Sequence, residues 1–149
     1  MASGGRMING SLMPDCEISF DVSRIDFRAT SDLLMESYWG SGRSDELHRR
    51  AFANSLCVGA YLDGKQVGFG RAITDRTVFA YLADVIIWPE YRGRGIGTRL
   101  VQALIDHPDC KSVTHWSLST NDAHGLYEKL GFRPSTDGRT MRLDRIPAV

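Results

Sequence analysis

The sequence predicts one domain of the α/β class (an α+β mixed sheet), in which an antiparallel meander and one βαβ unit form a central mixed sheet flanked by about four helices. Two observations carry this prediction. Three apolar segments follow one another with short connections, which is the pattern of an antiparallel meander. The third segment leads through a glycine-rich turn into an amphipathic helix and a further apolar segment, and that order predicts a parallel strand pair with a right-handed crossover.

The composition is that of a single folded domain. The chain has 149 residues, of which 42% are hydrophobic and 24% charged, and this is enough for one hydrophobic core. Eighteen basic residues balance eighteen acidic ones, so no charge excess favours a nucleic-acid partner or a membrane surface. The three cysteines are scattered without a Cys-x-x-Cys pair, which argues against a disulfide scaffold.

The chain is expected to be cytoplasmic, because no apolar stretch approaches the roughly 20 residues that span a bilayer. Residues 1–15 are small and polar and lack the apolar centre of a signal peptide. We expect them to be a disordered tail or an expression remnant, and residues 16–149 to form the single domain.

Before the meander, the sequence predicts a strand, a helix, a loop and a second helix, in the order Cys16–Val22, Asp26–Ser37, Tyr38–Gly42 and Ser44–Asn54. Asp26 and Ser31 are alternative N-caps of the first helix, since short polar side chains accept hydrogen bonds from its first amides. Ser44 is expected to cap the second helix, whose acidic first turn complements the helix dipole.

The meander is expected to contain three strands, at Cys57–Leu62, Gln66–Ile73 and Val78–Ile87. The dipeptide Asp63-Gly64 between the first two is a strong signal for a two-residue hairpin turn. The third segment is the most apolar, so it is predicted to be a central strand.

The βαβ unit is expected to continue with a helix over Gly95–Asp106 and a strand over Val113–Leu118. The predicted buried face of that helix consists of Ile96, Leu100, Ala103 and Leu104. Apolar residues at helical spacing predict a last helix over residues 123–130, which Gly131 ends. A closing hairpin is expected from Phe132–Pro134 and Thr140–Leu143.

The most informative segment is Asp84–Thr98, where an apolar strand enters a turn that contains alternate glycines at Gly93, Gly95 and Gly97. Glycine allows the backbone to approach a ligand closely. The free amides at the start of the following helix attract a phosphate-type anion. The segment therefore predicts a ligand that carries phosphate.

Two classes of phosphate site do not fit this turn. A Walker loop needs a lysine after its last glycine, and here Thr98 follows directly. A dinucleotide fold needs G-x-G-x-x-G and a carboxylate about 20 residues further on. The glycines here read G-x-G-x-G, and around His115 and Trp116 no carboxylate is in place.

The remaining pattern, Arg92-Gly93-Arg94-Gly95-Ile96-Gly97, fits [QR]-x-x-G-x-[GA] and resembles the GNAT superfamily of acyl-coenzyme A-dependent N-acetyltransferases. A second segment, Ala123–Phe132, is similar to the closing helix of that family. The two signatures occur in the family order, and the resemblance covers about Ile25–Leu143. Thr120 stands where many members carry an asparagine.

The resemblance implies that acetyl-coenzyme A is the cosubstrate and that no metal is needed. The residues then expected to bind it are Val85, Ile86, Ile87, Arg92, Gly93, Arg94, Gly95, Ile96, Gly97, Thr98 and Thr120. For residues 85–87 only the backbone is expected to contact the pantetheine arm, which in the family enters a gap between strands. An amide near Val85 or Ile86 is expected to stabilise the oxyanion.

Two side chains are the candidates for catalysis. Tyr127 matches the family tyrosine that donates a proton to the leaving thiolate, and its alternative is a core aromatic role. Asp84 is the best carboxylate in the third strand for a general base, and its alternative is structural hydrogen bonding. Tyr81 and His124 are further candidates for a proton relay through water.

The acceptor is expected to be a small-molecule amine bound by Tyr38, Trp39, Arg43 and Tyr81. Ordinary packing with a solvated arginine is the alternative for the loop that carries the first three. We expect direct transfer in a ternary complex, without an acyl-enzyme on Cys57. The alternative function is a non-catalytic acyl-coenzyme A-binding regulatory domain. The acceptor cannot be identified from sequence, and a homodimer stays open.

Overall fold

The computed structural model describes residues 15–145 in full and the backbone of residues 6–8 and 11–13. The strands are β1 Arg6–Ile8, β2 Ser11–Met13, β3 Glu17–Ser19, β4 Leu56–Leu62, β5 Lys65–Thr74, β6 Phe79–Ile87 and β7 His115–Ser117. The α-helices are α1 Phe27–Glu36, α2 Asp45–Ala53, α3 Ile96–Ile105 and α4 His124–Glu128. Short 3₁₀ turns lie at Val22–Arg24, Pro89–Tyr91 and Pro108–Cys110.

The central sheet has five strands in the order β3-β4-β5-β6-β7. All neighbours are antiparallel except β6 and β7, which are parallel, with α3 between them in the chain. The predicted mixed sheet, a meander followed by one βαβ unit, is therefore confirmed.

A separate antiparallel ribbon pairs β1 with β2. Both strands lie in the segment predicted to be a disordered tail or an expression remnant. The remaining residues of that segment up to residue 14 lie outside the described residues, so its origin and the domain boundary stay predictions.

The hairpin between β4 and β5 follows from its two turn residues. Asp63 and Gly64 both have positive φ, 49° and 78°, as a turn of type I′ requires. This turn fixes the register, in which Leu62 pairs with Lys65. β5 is the central strand, and residues 66–72 of it are buried without interruption.

The prediction that the third meander strand would be central was wrong. β6 lies one strand from the edge, and its burial alternates, with the side chains of Ala80, Leu82, Asp84 and Ile86 buried. The apolar sequence of β6 instead follows from its burial pattern, because the side chains on one face of the strand are buried and most of those on the other face are half-buried.

Helices cover both faces of the sheet. On one face α3 packs Leu100, Val101 and Leu104 against the strands, while the predicted Ala103 is only half-buried. On the other face Leu34 of α1 packs with Phe69 and other buried residues. Asp26 caps α1 through a bond from the Ala29 amide, and Ser44 caps α2 as predicted. No helix in the described residues is long and apolar enough to cross a membrane.

The predicted closing hairpin is not observed. Residues 129–145 contain no strand, and residues 133–145 are exposed. Met141 and Leu143 are 93% and 81% exposed. The outer strand β7 pairs with β6 over only three residues, so it offers a short edge to any further strand. The predicted first strand is likewise reduced to Glu17–Ser19.

Candidate functional site

A β-bulge in β6 opens the sheet. Phe69 pairs with Ile86 and Arg71 pairs with Ala83, so β6 holds one more residue than β5 over this stretch. Asp84 occupies the bulge with φ of 53°, a left-handed conformation that is uncommon for a residue other than glycine. The parallel pairing of β6 with β7 ends at Tyr81 and Ser117, just before the bulge. Beyond it the two strands leave a gap.

Within the described residues, the backbone of β6 along this gap has no partner from another strand. The Trp88 amide donates to the Val67 carbonyl of β5 at 2.8 Å. Because backbone groups of a strand alternate in direction, those of Ile87 and Val85 face the gap. The Ile87 carbonyl accepts a hydrogen bond from Nε of Arg92 at 3.1 Å. An extended ligand therefore has a strand edge to pair with.

The glycine-rich turn that follows exposes a row of amides. Gly93 and Gly95 both have φ of 79°, and no atom lies within 4 Å of a Cβ built on either. Helical hydrogen bonding begins only with the Arg99 amide, which donates to the Gly95 carbonyl at 3.2 Å. The amides of residues 93–98 donate to no group of the described chain. This arrangement is an anion-binding cradle at a helix N-terminus.

A cavity of about 740 Å³ joins the turn to the gap. Nine of the predicted cofactor-binding residues line it: Val85, Ile86, Ile87, Arg92, Gly93, Gly95, Ile96, Gly97 and Thr98. Arg94 is not among them, and its guanidinium lies over the ring of Tyr91 at 5.3 Å. Thr120 also lies outside this cavity, and its Oγ1 accepts a hydrogen bond from the Ala123 amide at 3.0 Å.

A second cavity, of about 460 Å³, adjoins the first. It is lined by the four predicted acceptor-binding residues and by both catalytic candidates, namely Tyr38, Trp39, Arg43, Tyr81, Asp84 and Tyr127. The two cavities meet at residues that line both: Tyr38, Trp39, Val85, Asp122 and Ala123. The fold thus brings together residues from four separate segments of the sequence.

Tyr127 lies in the second cavity with its ring against Phe132 in an edge-to-face contact of 5.8 Å. Burial raises the pKa of its phenol to about 12, with smaller contributions from Tyr38 and Asp122. The hydroxyl therefore keeps its proton at any physiological pH and is a hydrogen-bond donor.

Asp84 is held in a network that occupies both carboxylate oxygens. Oδ1 accepts from Nε1 of Trp39 at 3.0 Å and from Arg43 at 2.9 Å, and Oδ2 accepts from Nε of Arg71 at 2.8 Å. Its side chain is 1% exposed. Burial alone would raise the pKa of Asp84, but Arg71 and Arg43 outweigh it and lower that pKa. These contacts argue against the predicted general-base role and favour structural hydrogen bonding.

The sequence reasoning missed two residues of this site. Arg71 is the one charged residue in the otherwise apolar run of residues 67–73 in β5, and this position was a signal for a buried ion pair. Asp122 lines both cavities, but it lies in a loop whose sequence gives no sign of that position. In the described part of the chain no group of three or more His, Cys, Asp or Glu residues could hold a metal ion.

Comparisons with known proteins agree with this geometry. Residues 53–134 match the family model described as an acetyltransferase (GNAT) domain. A crystal structure of a GNAT-family protein from Xanthomonas campestris pv. campestris superposes with a TM-score of 0.83 at 39% identity, covering 91% of this chain and 96% of that one.

Curated relatives point the same way. A protein of Gibberella zeae named as an acetyltransferase is 32% identical over 134 residues, which cover 75% of this chain and 73% of that protein. The N-acetyltransferase ycf52 of Pyropia yezoensis is 34% identical over 77 residues. That match spans 51% of this chain and only 44% of the relative's length. With the family model matching more than half of its residues, the chain belongs to the GNAT family of acetyltransferases.

Proposed function

We propose that the protein transfers an acetyl group from acetyl-coenzyme A to the primary amine of a small molecule, by direct attack in a ternary complex. The observation that carries this proposal is the row of free amides at residues 93–98, which opens onto a gap in the sheet that ends beside Tyr127. The cytoplasmic location and the homodimer stay predictions.

The first cavity has the chemistry that the cosubstrate requires. Acetyl-coenzyme A would supply an acyl carbon that is already activated as a thioester. The amides of residues 93–98 would bind its pyrophosphate, with added charge from Arg92. The backbone of Val85 and the amide of Ile87, which face the gap, would hold the pantetheine arm as an added strand.

Tyr127 is proposed to stabilise the leaving thiolate by donating a hydrogen bond. A thiol titrates at about 8.5, whereas burial raises the pKa of Tyr127 to about 12. Complete proton transfer from the phenol to the thiolate would therefore be uphill, and a charge-assisted hydrogen bond is the more favourable role. The proposed role therefore differs from the full proton transfer that the family resemblance implied, because Tyr127 keeps its proton and donates a hydrogen bond.

The attacking amine is proposed to reach the site without a side-chain general base. Asp84 has both oxygens engaged and a lowered pKa, so it is a poor proton acceptor. Tyr81 lines the acceptor cavity and stays a candidate for a relay through water, whereas His124 lines a different cavity, beside β7. The neutral fraction of the amine in solution then supplies the nucleophile.

Direct transfer is also supported by the position of Cys57. Its thiol is buried in the cluster that contains Leu34 and Phe69, and Cys57 lines neither of the two joined cavities. Burial raises the pKa of Cys57 to about 11, which leaves almost no thiolate at neutral pH.

The test is a thiol-release assay with acetyl-coenzyme A against a broad panel of amines. Tyr127→Phe is expected to lower kcat by about 100-fold and to leave the Kd of coenzyme A unchanged. Tyr61→Phe is the matched control, because the Tyr61 hydroxyl has no partner in the described chain and Tyr61 lines neither of the two joined cavities. Coenzyme A binding without turnover of any amine would favour the non-catalytic binding domain.

A further inference from the structure

The acceptor cavity contains a buried cluster with an unbalanced positive charge. Arg43 and Arg71 both donate to Asp84, so two guanidiniums face one carboxylate. The side chains of Arg71 and Asp84 are 10% and 1% exposed, which limits compensation by solvent. The nearby His48 is buried, and burial lowers its pKa, so its ring favours the neutral form and leaves the excess positive charge to the two arginines. A cluster of this kind attracts an anion.

Arg43 is the member of the cluster that a ligand can reach. Its side chain is 25% exposed and lines the cavity, whereas Arg71 does not line it. Only one of its terminal nitrogens has a partner in the described chain, the bond to Oδ1 of Asp84. A guanidinium carries five N–H donors, so most of those of Arg43 are available to a ligand.

A negatively charged side chain, Asp122, lies where the acceptor cavity meets the first cavity. Asp122 lines both cavities, so it lies where an acceptor amine would meet the thioester. It is close enough to Tyr127 for its charge to raise the pKa of that phenol. Asp122 itself is exposed and accepts no hydrogen bond in the described chain.

Two aromatic side chains form the wall between these charges. Tyr38 and Trp39 line both cavities, and their rings meet edge-to-face at 5.0 Å. They are 55% and 36% exposed, so they present apolar surface to a ligand. Nε1 of Trp39 donates to Asp84, which fixes the ring beside the charged cluster.

We propose that the acceptor is a small amine that is zwitterionic in solution, whose anionic group binds Arg43 and whose amine, neutral when it attacks the thioester, faces Asp122. This inference rests on the proposed acetyl transfer and names the class of its acceptor. The anionic group is a carboxylate or a phosphate, since a guanidinium binds both in the same bidentate manner. The aromatic wall then receives the carbon skeleton of the acceptor.

The first experiment compares acceptors that differ only in the anionic group. Tyrosine is compared with tyramine, and phosphoethanolamine with ethanolamine, in the thiol-release assay. We expect the anionic member of one pair to have a kcat/KM at least about tenfold higher, and the pair that shows the preference identifies carboxylate or phosphate. Equal or faster turnover of tyramine and ethanolamine would overturn the inference and leave acetyl transfer intact.

The second experiment assigns the preference to Arg43. Arg43→Gln keeps a donor for Asp84 but removes the charge, so the preference is expected to fall to about threefold or less while the Kd of coenzyme A is unchanged. Arg24→Gln is the control, because Arg24 is paired with Glu17 at a distance from the cavities. A preference that survives Arg43→Gln in folded protein would overturn the inference. If that variant fails to fold, the acceptor pairs on the wild type decide alone.

A binding measurement separates this inference from the proposed function. Calorimetry with protein saturated in coenzyme A is expected to detect tyrosine or phosphoethanolamine and to show weaker binding of the matching amine. That result without turnover would retain the acceptor class and refute catalysis. Equal binding of both members of each pair would refute the acceptor class whatever the turnover.

Discussion

The two halves of the cleft are built in different ways. In the phosphate half, the anion-binding wall comes from one continuous segment, residues 85–98, and presents mainly backbone amides, while residues within 33–39 and 122–129 line the rest of that cavity. The acceptor half is lined by residues within 38–43, 81–85 and 119–127 and by Arg142, which meet only in the folded chain. A backbone site serves a ligand part that is common to many acyl transfers, whereas a side-chain site decides which acceptor enters. The difference explains why the backbone shape of the first half follows from a local glycine pattern, whereas the contacts of the second half depend on segments that are distant in the sequence.

The largest effect is expected in the acceptor half, where one carboxylate joins three segments. Asp84→Ala leaves the guanidiniums of Arg43 and Arg71 without their partner, and we expect the free energy of unfolding to fall by about 3 kcal/mol or more. Asp122→Ala is the matched control, because Asp122 is exposed and its loss is expected to cost about 0.5 kcal/mol or less. Urea denaturation measures both, and equal losses would refute the structural role of Asp84.

The same carboxylate gives a stability signal that depends on pH. The pKa of Asp84 is lower in the folded protein than its ordinary value of 3.8, so its ionised form stabilises the fold. The stability difference between the wild type and Asp84→Asn is expected to be complete above pH 3.8 and to shrink as pH falls through the lowered folded pKa. A difference that grows on acidification would contradict this sign.

The second effect is expected in the phosphate half, from its backbone conformation. Gly95→Val places a branched side chain at φ of 79°, within the anion cradle. Gly64→Val is the matched control, since Gly64 has φ of 78° in the β4–β5 hairpin and is equally open. Both variants are expected to lower the free energy of unfolding by about 1–2 kcal/mol. Only Gly95→Val is expected to weaken coenzyme A binding, by about tenfold or more, because it disturbs the amides that contact the anion. Calorimetry and thermal melts separate the two losses.

The third effect separates the two arginines of the turn, which sequence treated alike. Arg92 lines the cavity and donates to Ile87, whereas Arg94 lies over Tyr91 outside it. Arg92→Ala is expected to weaken coenzyme A binding by about fivefold to tenfold, and Arg94→Ala by about twofold or less. Equal effects would mean that the charge of the turn acts without regard to position.

The smallest effect concerns the pH dependence of turnover. If Asp84 is not a base, kcat/KM rises with pH as the acceptor amine loses its proton, and the midpoint follows the pKa of each amine used. Tyr127 has a pKa raised to about 12, so its deprotonation causes no loss of activity up to about pH 10. The profile is measured from pH 6 to about 10 with two amines of different pKa. A midpoint common to both amines would reveal an enzymatic base.

The sequence predicted most of the fold because its signals were local. The Asp63-Gly64 hairpin, the Ser44 cap and the helix after Gly95 each follow from a few neighbouring residues, and the structure confirms all three. The central position of β5 and the missing closing hairpin depend on which segments pair in the folded sheet. Such pairing joins residues that are distant in the sequence, so no local pattern predicts it.

The same distinction holds in the site. The anion cradle was predictable because alternating glycines before a helix specify a backbone shape. The position of Arg71 indicated an ion pair, but its partner was not predictable, because the bond to Asp84 depends on the bulge in β6 at that residue. Asp122 likewise becomes part of the site only through the way its loop meets Tyr38, whose hydroxyl accepts from the Asn121 amide at 3.3 Å.

The central claim is that backbone amides after β6 bind the pyrophosphate of coenzyme A, and titration calorimetry tests it most directly. Coenzyme A is titrated into the protein beside pantetheine, which has the same thiol arm but lacks the pyrophosphate and the 3′-phosphoadenosine attached to it, and beside 3′-phosphoadenosine alone, which measures the share of the nucleoside part. The account predicts that coenzyme A binds and that pantetheine binds at least about 100-fold more weakly. Equal affinity for coenzyme A and pantetheine, or no heat from coenzyme A with folded protein, would contradict it.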